Sequence, residues 1–194
     1  VALASGKTLD VGYNGITIAS GTFTGNTQAI TSSGDLVISG GTFNSSSSAI
    51  EIKGSVILSG GTLNSSTVPL VVGGNWTKSG GTFAPSGAVT FNGFGGQVIT
   101  SGGTDSTSDF LAINVNFGTV TIVSPIKVDG NFIVNAGQLK NDSIVLLSAN
   151  LANYGGFVND QSGALWLLNG TSAQTVRLQN NHIETIKVAN TTSS

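Results

Sequence analysis

The feature that most constrains this chain is a repeat of about 20 residues in its first half. Four segments starting at positions 15, 35, 55 and 75 align without gaps, and the last three contain Ser-Gly-Gly-Thr followed by Phe or Leu. A further Ser-Gly-Gly-Thr begins at Ser101, a slightly longer interval after the one that begins at Ser79. A fixed period of this length indicates supersecondary units that stack and bury a continuous core between neighbours.

The aligned segments place apolar residues in two columns. They are Phe23, Phe43, Leu63 and Phe83 in one, and Ile16, Leu36, Val56 and Trp76 in the other. The residue two places after each member of the second column is Ile18, Ile38, Leu58 or Lys78. Alternation with a period of two is typical of a strand with one buried face, so both columns are expected to point inward. Lys78 predicts either a local distortion with a change of register or a side chain that reaches outward to solvent.

Glycines form two further columns. One contains Gly34, Gly54 and Gly74, and the other contains Gly41, Gly61 and Gly81. Both columns are predicted to lie at sharp corners. Asn14 occupies the first column in the first segment. Because Asn replaces Gly most readily where φ is positive, this predicts a positive φ for the first column.

Three short strands in each repeat unit, without helical periodicity, predict an all-β fold. The expected architecture is a right-handed parallel β-solenoid of about 20–22 residues per rung with no sizeable helices, where a rung is one full turn of the solenoid. We expect one continuous solenoid over residues 1–194. Its rungs are regular over 10–104 and less regular over 105–194.

The second half contains a longer echo. Residues 91–115 are repeated at 168–188, with Phe91–Ile99 matching Leu168–Val176 at an offset of 77. Val1–Asp10 likewise parallels Val120–Asp129. We therefore expect copies of the chain to stack end to end, or adjoining repeats of a longer chain to continue it. Open strand edges recruit further strands, and contacts that do not close produce filaments.

Composition excludes several classes of function. Only 8% of residues are charged, the formal net charge is −2, and seven Lys and Arg residues are too few for a nucleic-acid interface. The absence of Cys excludes disulfides and thiolate metal sites. Apolar runs such as Val68–Val72 are too short to insert in a membrane. Ladders of Ser, Thr and Asn suit a solenoid surface because stacked like charges would repel. No cofactor is expected.

The Ser-Gly-Gly-Thr-Phe rungs and the Phe-Asn-Gly-x-Gly-x-Gln-x-Ile element resemble the repetitive parallel β-helix regions of secreted bacterial surface proteins. The sequence is most similar to two such families, the passenger domains of autotransporters and the haemagglutinin-like adhesins of two-partner secretion systems. The resemblance implies an extracellular or cell-surface location and a role in a fibre, stalk or adhesin. It also implies surface glycans or host and matrix proteins as partners.

Catalysis is not expected, because the chain has only nine acidic residues and they are scattered. Asp105 and Asp109 lie in a polar stretch that predicts a solvated loop insertion. Four others stand alone at turn-like positions, namely Asp10, Asp129, Asp142 and Asp160. His182 has only Glu184 nearby and is a poor metal ligand. Arg177 is expected to cover apolar surface or to pair with a neighbouring rung.

Two alternative functions and one possible modification remain open. The main alternative function is a carbohydrate-binding or carbohydrate-cleaving β-helix. Cleavage would require a carboxylate pair a few ångströms apart, and a groove lined by stacked aromatic or acidic residues would support this alternative. An ice-binding surface is the second, based on the column formed by Thr22, Thr42, Thr62 and Thr82. Glycosylation is the possible modification, since Asn-x-Ser/Thr occurs at Asn44, Asn64, Asn75, Asn141, Asn169 and Asn190.

Overall fold

The computed structural model describes residues 1–4, 8–45, 47–179 and 181–191 as a stack of short strands joined by corners. No helix occurs in these ranges. The first four rungs contain β1 (Leu9–Val11), β2 (Ile16–Ile18), β3 (Thr22–Thr24), β4 (Ile30–Ser32), β5 (Leu36–Ile38), β6 (Thr42–Asn44), β7 (Ile50–Ile52), β8 (Val56–Leu58), β9 (Thr62–Asn64), β10 (Leu70–Val72), β11 (Trp76–Lys78) and β12 (Thr82–Ala84).

The remaining rungs are less uniform in strand length. They contain β13 (Ala88–Phe91), β14 (Gly96–Thr100), β15 (Ala112–Val115), β16 (Thr119–Ile122), β17 (Ile126–Val128), β18 (Phe132–Val134), β19 (Gln138–Asn141), β20 (Ile144–Leu147), β21 (Leu151–Asn153), β22 (Phe157–Asp160), β23 (Leu165–Leu168), β24 (Val176–Arg177) and β25 (Ile186–Val188).

The strands form three faces of a parallel β-solenoid. The first face is a nine-stranded sheet in the order β1-β4-β7-β10-β13-β15-β18-β21-β24, and the second is an eight-stranded sheet from β2 to β22. The third face is divided into two four-stranded sheets, β3-β6-β9-β12 and β17-β20-β23-β25. Neighbouring strands in every sheet are parallel. The predicted all-β parallel solenoid is therefore confirmed.

The register explains why apolar residues recur at fixed intervals. Ile30, Ile50 and Leu70 are stacked partners in successive rungs, and all three side chains are buried. In the second half the interval varies. It shortens where Val120 pairs with Leu139 and Leu139 with Val158, and it lengthens where Leu151 pairs with Val176. The expected rung length is thus too long for the shortened rungs, in which the corners are shorter, and too short for the lengthened one.

The third face is interrupted by an excursion of the chain at residues 101–109, between β14 and β15. No strand of the excursion pairs with β12, although Thr107 O accepts a hydrogen bond from Phe83 N at 2.8 Å. Phe110 then returns to the core, where its ring lies 5.1 Å from Trp76 and 5.6 Å from Phe83 between centroids. This aromatic cluster fills the core where the ladder of the third face is broken.

Candidate functional surfaces

The eight residues predicted to form core columns all lie inside the solenoid. Phe43, Leu63, Phe83, Leu36, Val56 and Trp76 are fully or almost fully buried. Ile16 is also buried, and Phe23 is half-buried while stacking on Phe43 with ring centroids 5.1 Å apart. The partial exposure of Phe23 has a simple cause, since it lies in β3 at the edge of its sheet.

The two glycine columns are required for different physical reasons. Gly41, Gly61 and Gly81 have φ between +66° and +68°, which is the left-handed region. Gly34, Gly54 and Gly74 do not have positive φ, so the argument drawn from Asn14 is wrong for this column. A Cβ on Gly54 or Gly74 would instead lie 2.6 Å from the carbonyl carbon of Gly34 or Gly54, respectively, in the preceding rung.

Lys78 is buried in register, which corrects both expectations for this residue. It remains the partner of Leu58 in the β8–β11 ladder, and its side chain is only 5% exposed. Its Nζ donates to Ser108 Oγ at 3.0 Å. The excursion at 101–109 therefore supplies the polar partner that allows a lysine to occupy a core position.

The excursion itself is only partly the solvated loop that was expected. Asp105 is exposed, and its pKa is lowered by hydrogen bonds from the side chain and backbone of Thr107. Asp109 is buried and forms an ion pair with Lys127, which also lies 2.8 Å from Asp129. The expectation that Asp129 stands alone is wrong, because Phe110 pairs with Val128 and brings the two rungs together here.

Burial raises the pKa of Asp109, against the opposing effect of Lys127, whereas the hydrogen bonds to Asp109 and Asp129 raise the pKa of Lys127. The group is a charge cluster with one cation between two carboxylates. Sequence reasoning missed it because the excursion alters the rung interval locally, so that Asp109 and Lys127 are 18 residues apart.

Asp160 is buried rather than placed at an isolated turn. Both of its carboxylate oxygens accept hydrogen bonds from Trp166 Nε1, at 3.1 and 3.0 Å, and Oδ2 also accepts from Glu184 N at 3.1 Å. Burial nevertheless raises the pKa of Asp160, and the bond from Trp166 only partly offsets this. The ionised carboxylate is therefore less favourable in the folded protein than in water.

This burial predicts a pH dependence of stability. The folded protein binds a proton at Asp160 at higher pH than the unfolded chain, whose Asp pKa is about 3.9. Stability follows the difference in bound protons, so this group makes the folded state more stable as pH falls towards about 4. As the pH is lowered from 7 towards about 4, we expect the free energy of unfolding of the wild type to rise relative to that of Asp160→Asn. Urea denaturation at each pH measures this difference. The exposed Asp142 provides the control variant Asp142→Asn. A fall relative to Asp160→Asn on acidification would contradict the argument.

Gln97 fastens the corner between β13 and β14. Its Oε1 accepts a hydrogen bond from Gly93 N at 2.8 Å, and its Nε2 donates to Val72 O at 3.0 Å and Gly74 O at 2.6 Å. The side chain is buried, so it bridges its own corner to the rung before it without contact with solvent.

Gln174 repeats the same bonds in the corner between β23 and β24. Its Oε1 accepts from Gly170 N at 2.9 Å, and its Nε2 donates to Leu147 O at 2.8 Å and Ala149 O at 2.6 Å. The sequence echo is thus a repeated corner, but the Gln97 corner joins the first face to the second and the Gln174 corner joins the third to the first. The echo is displaced by one face.

The parallel drawn between Val1–Asp10 and Val120–Asp129 is displaced in the same way. Ala2 bridges to Thr24 on the third face, whereas Val120 lies in β16 on the second face. The two segments therefore do not occupy equivalent places in a rung. Residues 5–7 of the first segment lie outside the described residues.

His182 and Arg177 lie on the surface near the last described rungs. His182 is exposed, bridges to Asn159 through its backbone, and places Nε2 3.7 Å from Glu184 Oε2. The Arg177 guanidinium lies 4.7 Å from the centroid of the Tyr154 ring, a cation–π contact. Arg177 thus covers an aromatic surface of a neighbouring rung.

The six candidate glycosylation sites differ in accessibility. Asn75 is exposed, whereas Asn141 is fully buried and cannot accept a glycan in the folded chain. Asn44 and Asn64 are half-buried and hydrogen-bond to each other, Asn64 Nδ2 to Asn44 Oδ1 at 2.7 Å. Asn169 and Asn190 are also half-buried. Ser46 and Thr192, the third residues of the motifs at Asn44 and Asn190, lie outside the described residues.

The threonine column lies on the third face, with Thr22, Thr42, Thr62 and Thr82 in register. The outward position two residues later in each strand is occupied by different residues, namely Thr24, Asn44, Asn64 and Ala84. The surface therefore carries one regular threonine ladder rather than a two-column threonine array.

The last described rung exposes residues at core positions. Val188 is 67% exposed, whereas its ladder partner Leu168 is buried, and Ile186 is exposed beside buried Trp166. We call Val176, Ile186 and Val188 the carboxyl-end surface. At the opposite end Leu9, Val11 and Phe23 are half-buried members of the core and form the amino-end surface. Within the described residues, β1, β24 and β25 are edge strands with unpaired backbone groups on one side, whereas the outer side of β3 is bonded by Val1 and Leu3.

A groove runs along the outer side of the first face. One part of it, about 370 Å³, is lined by Glu51, Lys53, Val71, Asn92 and Phe94 together with Gly73 and Gly93. A second part, about 410 Å³, shares three of these residues with the first and extends towards Thr31 and Pro69. The Phe94 ring is 87% exposed and meets the Phe117 ring edge-on at 4.8 Å between centroids. Sequence reasoning missed this groove because the repeat pattern contains no sign of it.

The fold defines the class of the protein as a parallel β-solenoid repeat protein. No family model matches the sequence, and no significant match to a curated protein or a solved structure is found. The described part of the chain has no helix long and apolar enough to cross a membrane. It also brings together no group of three or more His, Cys, Asp or Glu residues able to hold a metal ion.

Proposed function

We propose that this chain is a structural module of an extracellular fibre, stalk or adhesin, in which further rungs continue the solenoid at its ends. These rungs come from copies of the chain stacked end to end, or from adjoining repeats of a longer chain. The extracellular location rests on the resemblance of the rungs to repetitive β-helix regions of secreted proteins.

The observation that carries this proposal is the exposure of apolar residues at ladder positions in the carboxyl-end surface. Val188 and Ile186 are continuous with columns that are buried in every earlier strand of their sheet. A further rung would bury these side chains and satisfy the free backbone groups of β24 and β25. The amino-end surface also presents apolar side chains that are only half-buried, namely Leu9, Val11 and Phe23.

The placement of the acidic residues supports a role without catalysis. Asp109 and Asp129, which the fold brings together, share Lys127 and are held in an ion-pair cluster. The buried Asp160 carboxylate accepts hydrogen bonds from the Trp166 indole. A carbohydrate-cleaving site needs a carboxylate pair that is free to act on substrate, and these residues offer none.

End-to-end stacking can be tested with the 194-residue chain by sedimentation velocity over a concentration series and by electron microscopy. We expect rods that lengthen with concentration, because burial of the end surfaces is a mass-action process. The variant Val188→Lys places a charge in the joint, and we expect it to reduce association at least tenfold.

The matched control is Val123→Lys, which replaces an exposed valine at a corner on the flank of the solenoid. This variant should associate as the wild type does. A chain that remains monomeric at every concentration, or that associates equally well with either substitution, would contradict end-to-end stacking.

A further inference from the structure

The groove on the first face has polar side chains that the fold leaves without partners. Within the described residues, the side chains of Glu51, Lys53 and Asn92 form no hydrogen bond or ion pair. They face the same hollow as the apolar side chains of Val71 and Phe94. A concave site that combines an aromatic ring with a few convergent polar groups is the usual form of a small-ligand site.

The hydrogen bonds that form its corner do not require Phe94. Its corner is fixed by the hydrogen bond from Gly93 N to Gln97 and by the close approach of Gly118 to Gly93 O. The matching corner around Gln174 makes the same bonds with Thr171 in the place of Phe94, and Thr171 is exposed as well. The corner therefore forms without an aromatic residue. Phe94 lies outside the core and packs edge-on against Phe117, which is itself exposed, so the pair leaves an aromatic patch open to solvent.

The strands in the groove floor have no free edge to offer. β10 pairs with β7 on one side and β13 on the other, and both of these strands have a second partner. An extended peptide could not add to this face as a further strand, since that mode requires a sheet edge. Recognition here must use side chains alone.

The charges in the groove favour an uncharged ligand. Glu51 and Lys53 are two residues apart and line the same hollow, so their formal charges balance. A polyanion would meet the Glu51 carboxylate, and a polycation would meet the Lys53 ammonium. A molecule with apolar C–H patches and many hydroxyl groups matches both the Phe94 ring and the unpaired polar groups.

We propose that the groove on the first face binds an uncharged oligosaccharide, with a sugar ring packed on Phe94 and its hydroxyl groups bonded to Glu51, Lys53 and Asn92. The groove extends across four rungs, from Thr31 in β4 to Asn92 after β13. At a strand spacing of about 4.8 Å this is roughly 15 Å, which accommodates several sugar units in a row. The site lies on the flank of the solenoid, so it does not depend on end-to-end stacking.

The test is isothermal titration calorimetry of the full chain with four neutral hexasaccharides, namely cello-, chito-, xylo- and maltohexaose. A heparin hexasaccharide provides the anionic comparison. We expect at least one neutral hexasaccharide to bind more tightly than the heparin fragment. Phe94→Thr, which copies the Thr171 corner, should weaken that binding at least tenfold, and Glu51→Gln at least threefold.

Tyr13→Thr is the matched control, because Tyr13 is an exposed aromatic residue that does not line the groove. It should leave the affinity unchanged. Urea denaturation should show that Phe94→Thr still unfolds in one cooperative transition, with at most the small loss of stability expected from the surface contact with Phe117. The proposal is overturned if no neutral hexasaccharide binds at millimolar concentration, if only the heparin fragment binds, or if Phe94→Thr binds as the wild type does.

Discussion

Replacing Gly61 by Ala is expected to lower the free energy of unfolding by about 3 kcal/mol or more. Two separate costs add at this position. The φ angle is +66°, which an L residue adopts only with strain, and a Cβ would lie 2.6 Å from the carbonyl carbon of Gly40 in the preceding rung. The contact is with backbone, so relief requires two rungs to separate locally and to weaken their ladder. Urea denaturation monitored by circular dichroism measures the loss.

Gly21 separates these two costs. It has a φ of +71° at the equivalent corner, but no atom lies within 4 Å of a Cβ built there. Gly21→Ala should therefore lose only the conformational part, about 1–2 kcal/mol. Equal losses for Gly21→Ala and Gly61→Ala would show that close stacking of the rungs is not what selects glycine at this corner.

Replacing Trp166 or Trp76 by Phe is expected to lower the free energy of unfolding by unequal amounts. Trp166 Nε1 donates to the buried Asp160 carboxylate, whereas Trp76 Nε1 is buried without a hydrogen-bond partner among the described residues. Both substitutions to Phe leave a small cavity, but only Trp166→Phe removes a donor from a buried charge. We expect Trp166→Phe to cost about 2 kcal/mol more than Trp76→Phe in the free energy of unfolding.

The same pair has a second readout in pH. The bond from Trp166 lowers the pKa of Asp160, so its loss should raise that pKa further. The extra cost of Trp166→Phe should then diminish as the pH falls and the carboxyl group becomes protonated. If the difference between the two variants is absent at pH 7, or does not change with pH, the indole does not stabilise the ionised carboxylate.

Much of the fold could be predicted from the repeat, because stacking demands that inward positions recur. Phe43, Leu63 and Phe83 are assigned to one column by their spacing alone, and all three side chains are buried in a single ladder. The regularity ends where a corner changes length. The excursion at 101–109 cannot be placed from sequence, since its path depends on the core space that Phe110 fills.

The surfaces could not be predicted to the same extent. Lys78 was expected to point outward or to distort the strand, because its partner Ser108 is 30 residues away in an irregular segment. Phe94 occupies a variable position of the Phe-Asn-Gly-x-Gly-x-Gln-x-Ile element, which does not indicate a groove. Its position beside Glu51 depends on the fold of the Gln97 corner, which only the hydrogen bonds reveal.

The same glutamine-bonded corner occurs between two different pairs of faces. The sequence of a corner therefore does not determine which faces it joins. Gln97 and Gln174 bond identically although one corner leads from the first face to the second and the other from the third to the first. The hydrogen bonds of such a corner are compatible with more than one position in the rung. A lineage of solenoids could therefore lengthen or shorten by one strand at a time, rather than by whole rungs. Sequence repeats in such proteins need not be whole multiples of the rung.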